Sequence, residues 1–165
     1  MKKSRRSPWL VLAFLIAVIV LFDVKGIKFY LVPSDSMKPT LERSDYIIGF
    51  EIASAELERG DVVVFTSGYK GDYYVKRVVG LPGETLVILA GSVYISGRLL
   101  EEPYVHYHSA ENLGPIHIPD GRVFLMGDNR PNSFDSRWFG PVPMRLIESR
   151  VSFIYNPISR MGRVH

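Results

Sequence analysis

From Tyr46 onward the chain is written as short runs of β-forming residues, each closed by a turn signal, and this rhythm constrains the fold more than any other feature. Tyr46 to Phe50 is the first apolar run. Gly60-Asp61 leads into Val62-Val63-Val64-Phe65, a continuous apolar run of the buried-strand type. Ser67-Gly68 and Lys70-Gly71-Asp72 mark a turn before Tyr73 to Val79. Leu81-Pro82-Gly83-Glu84 holds Pro then Gly at its centre, the chemistry of a type II turn. Thr85 to Leu89 and Ser92 to Ile95 flank Ala90-Gly91, and Ser96-Gly97 predicts a tight hairpin into Arg98-Leu99-Leu100. Arg122 to Met126 and Arg150 to Tyr155 are further strands, with one helical turn expected at Met144 to Ile147. Evenly spaced strands of this kind predict a mainly β body whose antiparallel sheets form a partly closed, barrel-like domain. Residues 101–119 hold prolines and histidines without periodicity and read as a surface excursion.

The N-terminus carries a different signal. Lys2, Lys3, Arg5 and Arg6 precede a stretch from Trp9 to Phe22 with no polar or charged residue. Such a stretch is a cleavable signal peptide, a membrane anchor or a buried helix. It ends in Phe22-Asp23-Val24-Lys25, without the small-x-small site of a signal peptide. The uncharged length of about 16 residues is short of the roughly 20 that span a bilayer. Bilayer thinning, or snorkelling by Arg6, Lys25 and Lys28, covers the deficit. The preferred reading is one N-terminal transmembrane helix. By the positive-inside rule its basic leader stays in the cytoplasm, so the lipid bilayer is a partner and the β domain lies outside the cytoplasm. The expected organisation is a basic leader over 1–7, an anchor over 8–27 and an extracytoplasmic β domain over 28–165. The formal net charge is +3 and the leader supplies four positive charges, which leaves the remainder at −1. The basic balance is therefore a topology signal, and no basic stripe with interleaved aromatics points to nucleic acid. The chain has no cysteine, which excludes disulfides and thiolate chemistry.

Two segments carry candidate chemistry. Pro33-Ser34-Asp35-Ser36-Met37-Lys38-Pro39-Thr40-Leu41 offers a serine on a proline-bounded extended stretch. Tyr73-Tyr74-Val75-Lys76-Arg77-Val78-Val79-Gly80 offers a lysine inside a β run. Together they suggest a serine nucleophile activated by a neutral lysine. Burial in an apolar wall would lower the lysine's pKa from about 10.4 and free its amine. On a strand, Tyr74, Lys76 and Val78 share one face, while Val75, Arg77 and Val79 take the other. Taken singly, each motif has a plainer reading: a turn at Ser34–Ser36, a solvated Lys76, a Gly127-Asp128-Asn129 turn and a polar loop at Asp135-Ser136-Arg137.

Their combination, in this order, resembles the type I signal peptidases, the bacterial leader peptidases, which are serine proteases with a Ser–Lys dyad. The resemblance runs through the leader and anchor, Pro33 to Leu41, Gly60 to Phe65, Tyr74 to Glu84, and Gly127-Asp128-Asn129-Arg130-x-Asn132-Ser133-x-Asp135-Ser136-Arg137. It implies a membrane-anchored endopeptidase of the bacterial plasma membrane, with no cofactor and no metal. Its partners would be precursor proteins whose signal peptides end in Ala-x-Ala. By the same resemblance Ser36 is the nucleophile and Lys76 the general base. Ser34 and the backbone N–H of Ser36 form the oxyanion hole, and Ser133 orients the base. Asp135 and Arg137 form an ion pair at the rim, and Val32, Met37, Leu41, Tyr74 and Val75 wall small substrate pockets. An extended peptide would bind by adding a strand beside the site.

Three positions depart from the pattern: Asp35 between the two serines, Pro131, and Ser44 where glycine is usual. In an extended segment Asp35 faces away from Ser34 and Ser36, so little effect on Lys76 is expected. The four histidines, His106, His108, His117 and His165, are not expected to act in catalysis or to bind metal. Trp138 and Phe139 are either core residues or part of an apolar rim at the membrane surface. Two alternatives stand beside the peptidase reading. One is an anchored β module that binds extended peptides without cutting them. The other is a different Ser–Lys hydrolase, such as a pilus-maturation peptidase or a LexA-like self-cleaving regulator.

Overall fold

Twelve strands, almost all bounded by the turn residues of the sequence, form two antiparallel sheets in a computed structural model that describes residues 26–66 and 72–165 together with Trp9 and Leu12. In chain order they are β1 (Ile27–Leu31), β2 (Tyr46–Phe50), β3 (Val62–Thr66), β4 (Tyr73–Gly80), β5 (Thr85–Leu89), β6 (Ser92–Ile95), β7 (Arg98–Leu99), β8 (Leu113–His117), β9 (Arg122–Met126), β10 (Val142–Pro143), β11 (Ile147–Asn156) and β12 (Gly162–Arg163). A single-turn helix, α1 (Ser136–Phe139), follows β9. The large sheet runs β1-β2-β11-β3-β4-β9-β10, with β12 paired to β11, and curls into a half-barrel. The small sheet runs β7-β6-β5-β8. The mainly β, partly closed architecture read from the sequence is thus present. The leader, the anchor apart from Trp9, Leu12, Gly26 and Ile27, and the turn at Ser67-Gly68 and Lys70-Gly71 lie outside the described residues; Ile27, the last residue of the expected anchor, already begins β1. Among the described residues no helix is long and apolar enough to cross a membrane.

The continuous apolar runs of β3 and β4 are explained by burial on both faces. Val62, Val64 and Val75 pack on one side with Val32, Met37, Leu41, Ile47, Val151 and Ile154. Val63, Phe65 and Val78 pack on the other with Leu57, Val123, Leu125 and Val142. Further along β4, Val79 joins Phe124 and Met126 of β9 against Leu86, Ile88, Val93 and Ile95 of the small sheet. The register of β4 shifts between Val78 and Gly80, where Gly80 meets Ile118 and Phe124 too closely for a side chain. The turn at Leu81–Glu84 closes with the Glu84 N–H donating to Leu81 O, and Gly83 takes a φ of 80°.

The excursion is more ordered than its sequence suggests, because residues 113–117 of it form β8 on the edge of the small sheet. The helical turn expected at Met144 to Ile147 is a 3₁₀ turn over Met144–Leu146. Ser44 adopts a φ of 73°, the left-handed region that favours glycine. This is the physical reason glycine suits that turn.

Candidate active site

Ser36 lies in the loop that joins β1 to β2. That loop is held from below by its own apolar residues, because Val32, Met37 and Leu41 are buried in the cluster beneath it. Its ends are tied by the Val32 N–H donating to Asp45 O and the Ser44 N–H donating to Val32 O, both at 2.9 Å. Its middle is tied to the 127–137 segment, where the Asn129 N–H donates to Ser36 O at 3.0 Å and Asn129 Nδ2 donates to Asp35 O at 3.1 Å. Gly127 permits this approach, since a Cβ there would stand 2.5 Å from Ser36 O and 2.3 Å from Ser133 Oγ.

Lys76 comes to Ser36 from the middle of β4. Its Nζ lies 2.7 Å from Ser36 Oγ and donates to Val75 O at 2.9 Å. The residue is 3% exposed. Burial pushes its pKa down from 10.5 to about 8. The carboxylates of Asp135 and Asp128 oppose that shift and Arg137 adds to it. Ser34 Oγ donates to Ser36 Oγ at 3.2 Å, so two hydroxyls and one amine converge on one point. The Asp35 carboxylate takes no part. It accepts from the Arg43 N–H and pairs with Lys38 at 3.4 Å.

Asp135 organises the far side. It accepts from the Gly127 N–H at 2.9 Å, Ser133 Oγ at 2.7 Å and Arg137 Nε at 2.8 Å, and it caps the N-terminus of α1. Burial pushes the Asp135 carboxyl up, but Arg137, the Gly127 N–H and Ser133 together outweigh it and leave the carboxyl below its ordinary range. Ser133 was expected to hold the base. Its hydroxyl instead donates to Asp135 Oδ2, and the backbone carbonyl of Val75 is the second hydrogen-bond partner of the Lys76 amine. The expected ion pair of Asp135 with Arg137 is present at 2.8 Å.

A groove of about 600 Å³ opens between β1 and the start of β4 and reaches Val75, the residue before Lys76. It is lined by Leu31, Pro33, Val64, Tyr73, Tyr74 and Val75 among others. Of the five expected wall residues, Tyr74 and Val75 line this groove. Val32, Met37 and Leu41 pack in the buried cluster that also holds Val75. Leu31, Pro33 and Tyr73 are additional lining residues. The four histidines are exposed. Trp138, 70% exposed, and Phe139 belong to the surface and not to the core, next to exposed Phe134.

Sequence reasoning gave no role to a buried ionic layer behind the site. Arg77 is 1% exposed and grips Asp128 through Nε at 2.9 Å and NH2 at 2.7 Å. Thr40 Oγ1 donates to the same carboxylate, and Arg77 NH1 donates to Gly60 O. Arg77 thus leaves the Lys76 face, as alternation predicts, but it enters a second buried environment. The signal for Asp128 and Arg130 was the shared motif run. Nothing local marks Glu102 of the excursion as the partner of Arg130.

A family model described as signal peptidase, peptidase S26, matches residues 6–156. "Probable signal peptidase I-1" of Synechocystis is 36% identical, covering 95% of this chain and 84% of its own. "Signal peptidase I S" of Bacillus subtilis is 33% identical, covering 99% and 96%. A crystal structure of a signal peptidase I from Enterococcus faecalis superposes with a TM-score of 0.52 at 33% identity, over 58% of this chain and 96% of that one. A family match over most of the length, with relatives this similar end to end, means that the chain belongs to the signal peptidase family, peptidase S26.

Proposed function

We propose that Ser36 is the nucleophile and Lys76 the general base of a serine endopeptidase that removes signal peptides from secreted precursors. The observation that carries this reading is the 2.7 Å approach of a buried amine, with a pKa near 8, to a serine hydroxyl. In the free-base state the Lys76 nitrogen accepts the Ser36 proton as Oγ attacks the scissile carbonyl. The resulting ammonium protonates the leaving amine. The amine then activates the water that hydrolyses the acyl-enzyme, so one base serves both halves of the reaction. The Ser34 hydroxyl and the Ser36 N–H stabilise the oxyanion, and losing one such donor raises the barrier by about 3–4 kcal/mol. Asp135 and Arg137 hold the rim.

The substrate binds as an extended strand in the groove. β9 pairs with β4 only from Arg77 onward, so the Tyr73 to Lys76 edge has β3 as its one strand partner in the described sheets. A peptide added along that edge carries its carbonyl to Ser36. Leu31, Pro33, Tyr74 and Val75 leave room for Ala-sized side chains at the positions before the cut. The anchor over 8–27 and the exposed aromatics Phe134, Trp138 and Phe139 fit an enzyme seated at the outer surface of the plasma membrane, its leader in the cytoplasm.

The test is cleavage of a precursor ending in Ala-x-Ala by the full chain and by Ser36→Ala and Lys76→Ala. Both variants should lose at least 10³-fold in kcat. Wild-type turnover by either one overturns the assignment.

A further inference from the structure

Residues 102–111 of the 101–119 excursion touch all three buried arginine side chains around the site. Glu102 receives Arg130 as a two-pronged pair, NH2 to Oε1 at 2.5 Å and NH1 to Oε2 at 3.0 Å. Tyr104 O–H donates to Glu102 Oε1 at 2.9 Å, and the Tyr104 ring lies 4.0 Å from the Arg77 guanidinium. Glu111 pairs with Arg137, and the Arg137 and Arg130 side chains are 3% and 2% exposed. The backbones join as well. The Arg130 N–H donates to Tyr107 O at 3.1 Å, and Tyr107 bridges Asn129.

From Arg130 the connection to the nucleophile is short. Arg130 Nε donates to Gly127 O at 3.1 Å, and its neighbour Asn129 holds both Asp35 O and Ser36 O. Gly127 itself rests against Ser36 O with no room for a methyl group. A displacement of 127–130 therefore moves Ser36. Lys76 rides on β4, which pairs with β3 along Tyr73 to Arg77 and with β9 from Arg77 onward. The Ser36–Lys76 distance depends on the 127–130 segment and β4 staying in register; the excursion reaches the Ser36 side through Glu102 and Arg130, and meets β4 through the Tyr104 ring against Arg77.

We propose that Glu102 is a positioning residue for this enzyme, a clamp that acts through Arg130 and Asn129 to hold Ser36 in attacking distance of its base. The proposal rests on the Ser36–Lys76 reading. A bidentate guanidinium–carboxylate pair fixes both distance and orientation, which a single contact would not. Misplacing a reacting group by about 1 Å costs on the order of 10²-fold in rate. The groove that binds the peptide is built from β1 and β4, away from this clamp, so affinity is not its business. The charges acting on the Lys76 amine are Asp135, Asp128 and Arg137, none of them in the clamp.

The experiment measures kcat, KM and the pH profile per folded molecule for the full chain, for Glu102→Gln and for Arg130→Lys, with thermal unfolding in parallel. Glu102→Gln keeps the shape and removes the charge; Arg130→Lys keeps the charge and removes the fork. Each should lose on the order of 10- to 100-fold in kcat, with KM within about twofold of wild type and the acid limb of the profile unmoved. A folded Glu102→Gln or Arg130→Lys with wild-type kcat overturns the clamp. So does a KM that rises in step with the loss. Failure of both variants to fold also overturns it, since the pair would then be a general structural element. Ser36→Ala run alongside separates the two claims: activity in Ser36→Ala removes the nucleophile reading, whereas an inactive Ser36→Ala beside a fully active Glu102→Gln removes only the clamp.

Discussion

Lys76 holds two opposed requirements in one side chain. Catalysis needs a free amine, and stability would prefer no amine in that position. With a folded pKa of about 8, the proposed base is mostly protonated at pH 7. The acid limb of kcat/KM should therefore centre near pH 8, with activity falling about tenfold per unit below it. The same shift sets a stability profile. Below pH 8 the amine is charged in both folded and unfolded chains, and the folded state bears the full cost of burying it. Between about 8 and 10.5 the unfolded chain retains a proton that the folded one has released, so stability rises with pH across that window. The shift corresponds to roughly 3 kcal/mol. Lys76→Met should be inactive, yet more stable than wild type by up to that amount below pH 8. The advantage should vanish above 10.5, as read from urea unfolding at several pH values. An advantage that persists unchanged at high pH would contradict the buried-amine account.

At the scale of elements, the site is a meeting of three. The 33–41 loop brings the hydroxyl, β4 brings the amine, and the 127–137 segment seats both. Gly127 is where two of them touch. A methyl group there would collide with the Ser36 carbonyl and with Ser133. The backbone cannot yield cheaply, because the Asn129 N–H binds that carbonyl from the next turn. Gly127→Ala should cost about 1–3 kcal/mol in stability. It should also lower kcat on the order of 100-fold by separating Ser36 from Lys76. Kinetics at a temperature well below the new Tm distinguish the second effect from the first. α1 owes its existence to the same segment, since four residues have no helical stability of their own and Asp135 supplies the cap.

Over the whole molecule, charge is arranged in a buried layer that joins distant parts of the chain. Arg77 on β4 meets Asp128 after β9, Gly60 before β3, Thr40 of the Ser36 loop and the ring of Tyr104. Desolvating such a pair offsets much of its attraction, but removing one partner strands the other. Arg77→Met should destabilise the domain by about 3–5 kcal/mol. Adding Asp128→Leu should recover a large part of that loss, because the stranded carboxylate is gone. Denaturant unfolding of the single and double variants measures this; a double variant as unstable as the sum of two independent losses would contradict it.

The sequence by itself marked most of the strands and turns and, through the family resemblance, the residues proposed to react. Thr85 to Leu89, Ser92 to Ile95 and Arg122 to Met126 were legible because period, β-branching and Gly/Pro punctuation are local properties. β8 was missed because Leu113-Gly114-Pro115 reads as a break, and only the edge of the small sheet makes it a strand. Ser36 and Lys76 could be picked out in order along the chain, yet nothing local says that residues 40 apart lie 2.7 Å from each other. Tertiary structure decided that distance, the dryness of the amine and the pairing of Ser133 with Asp135. It also decided the partnership of Glu102 with Arg130 across 28 residues. An ion pair has no periodicity, so its two halves look like ordinary surface charges until the fold closes around them and removes the water that would otherwise screen them.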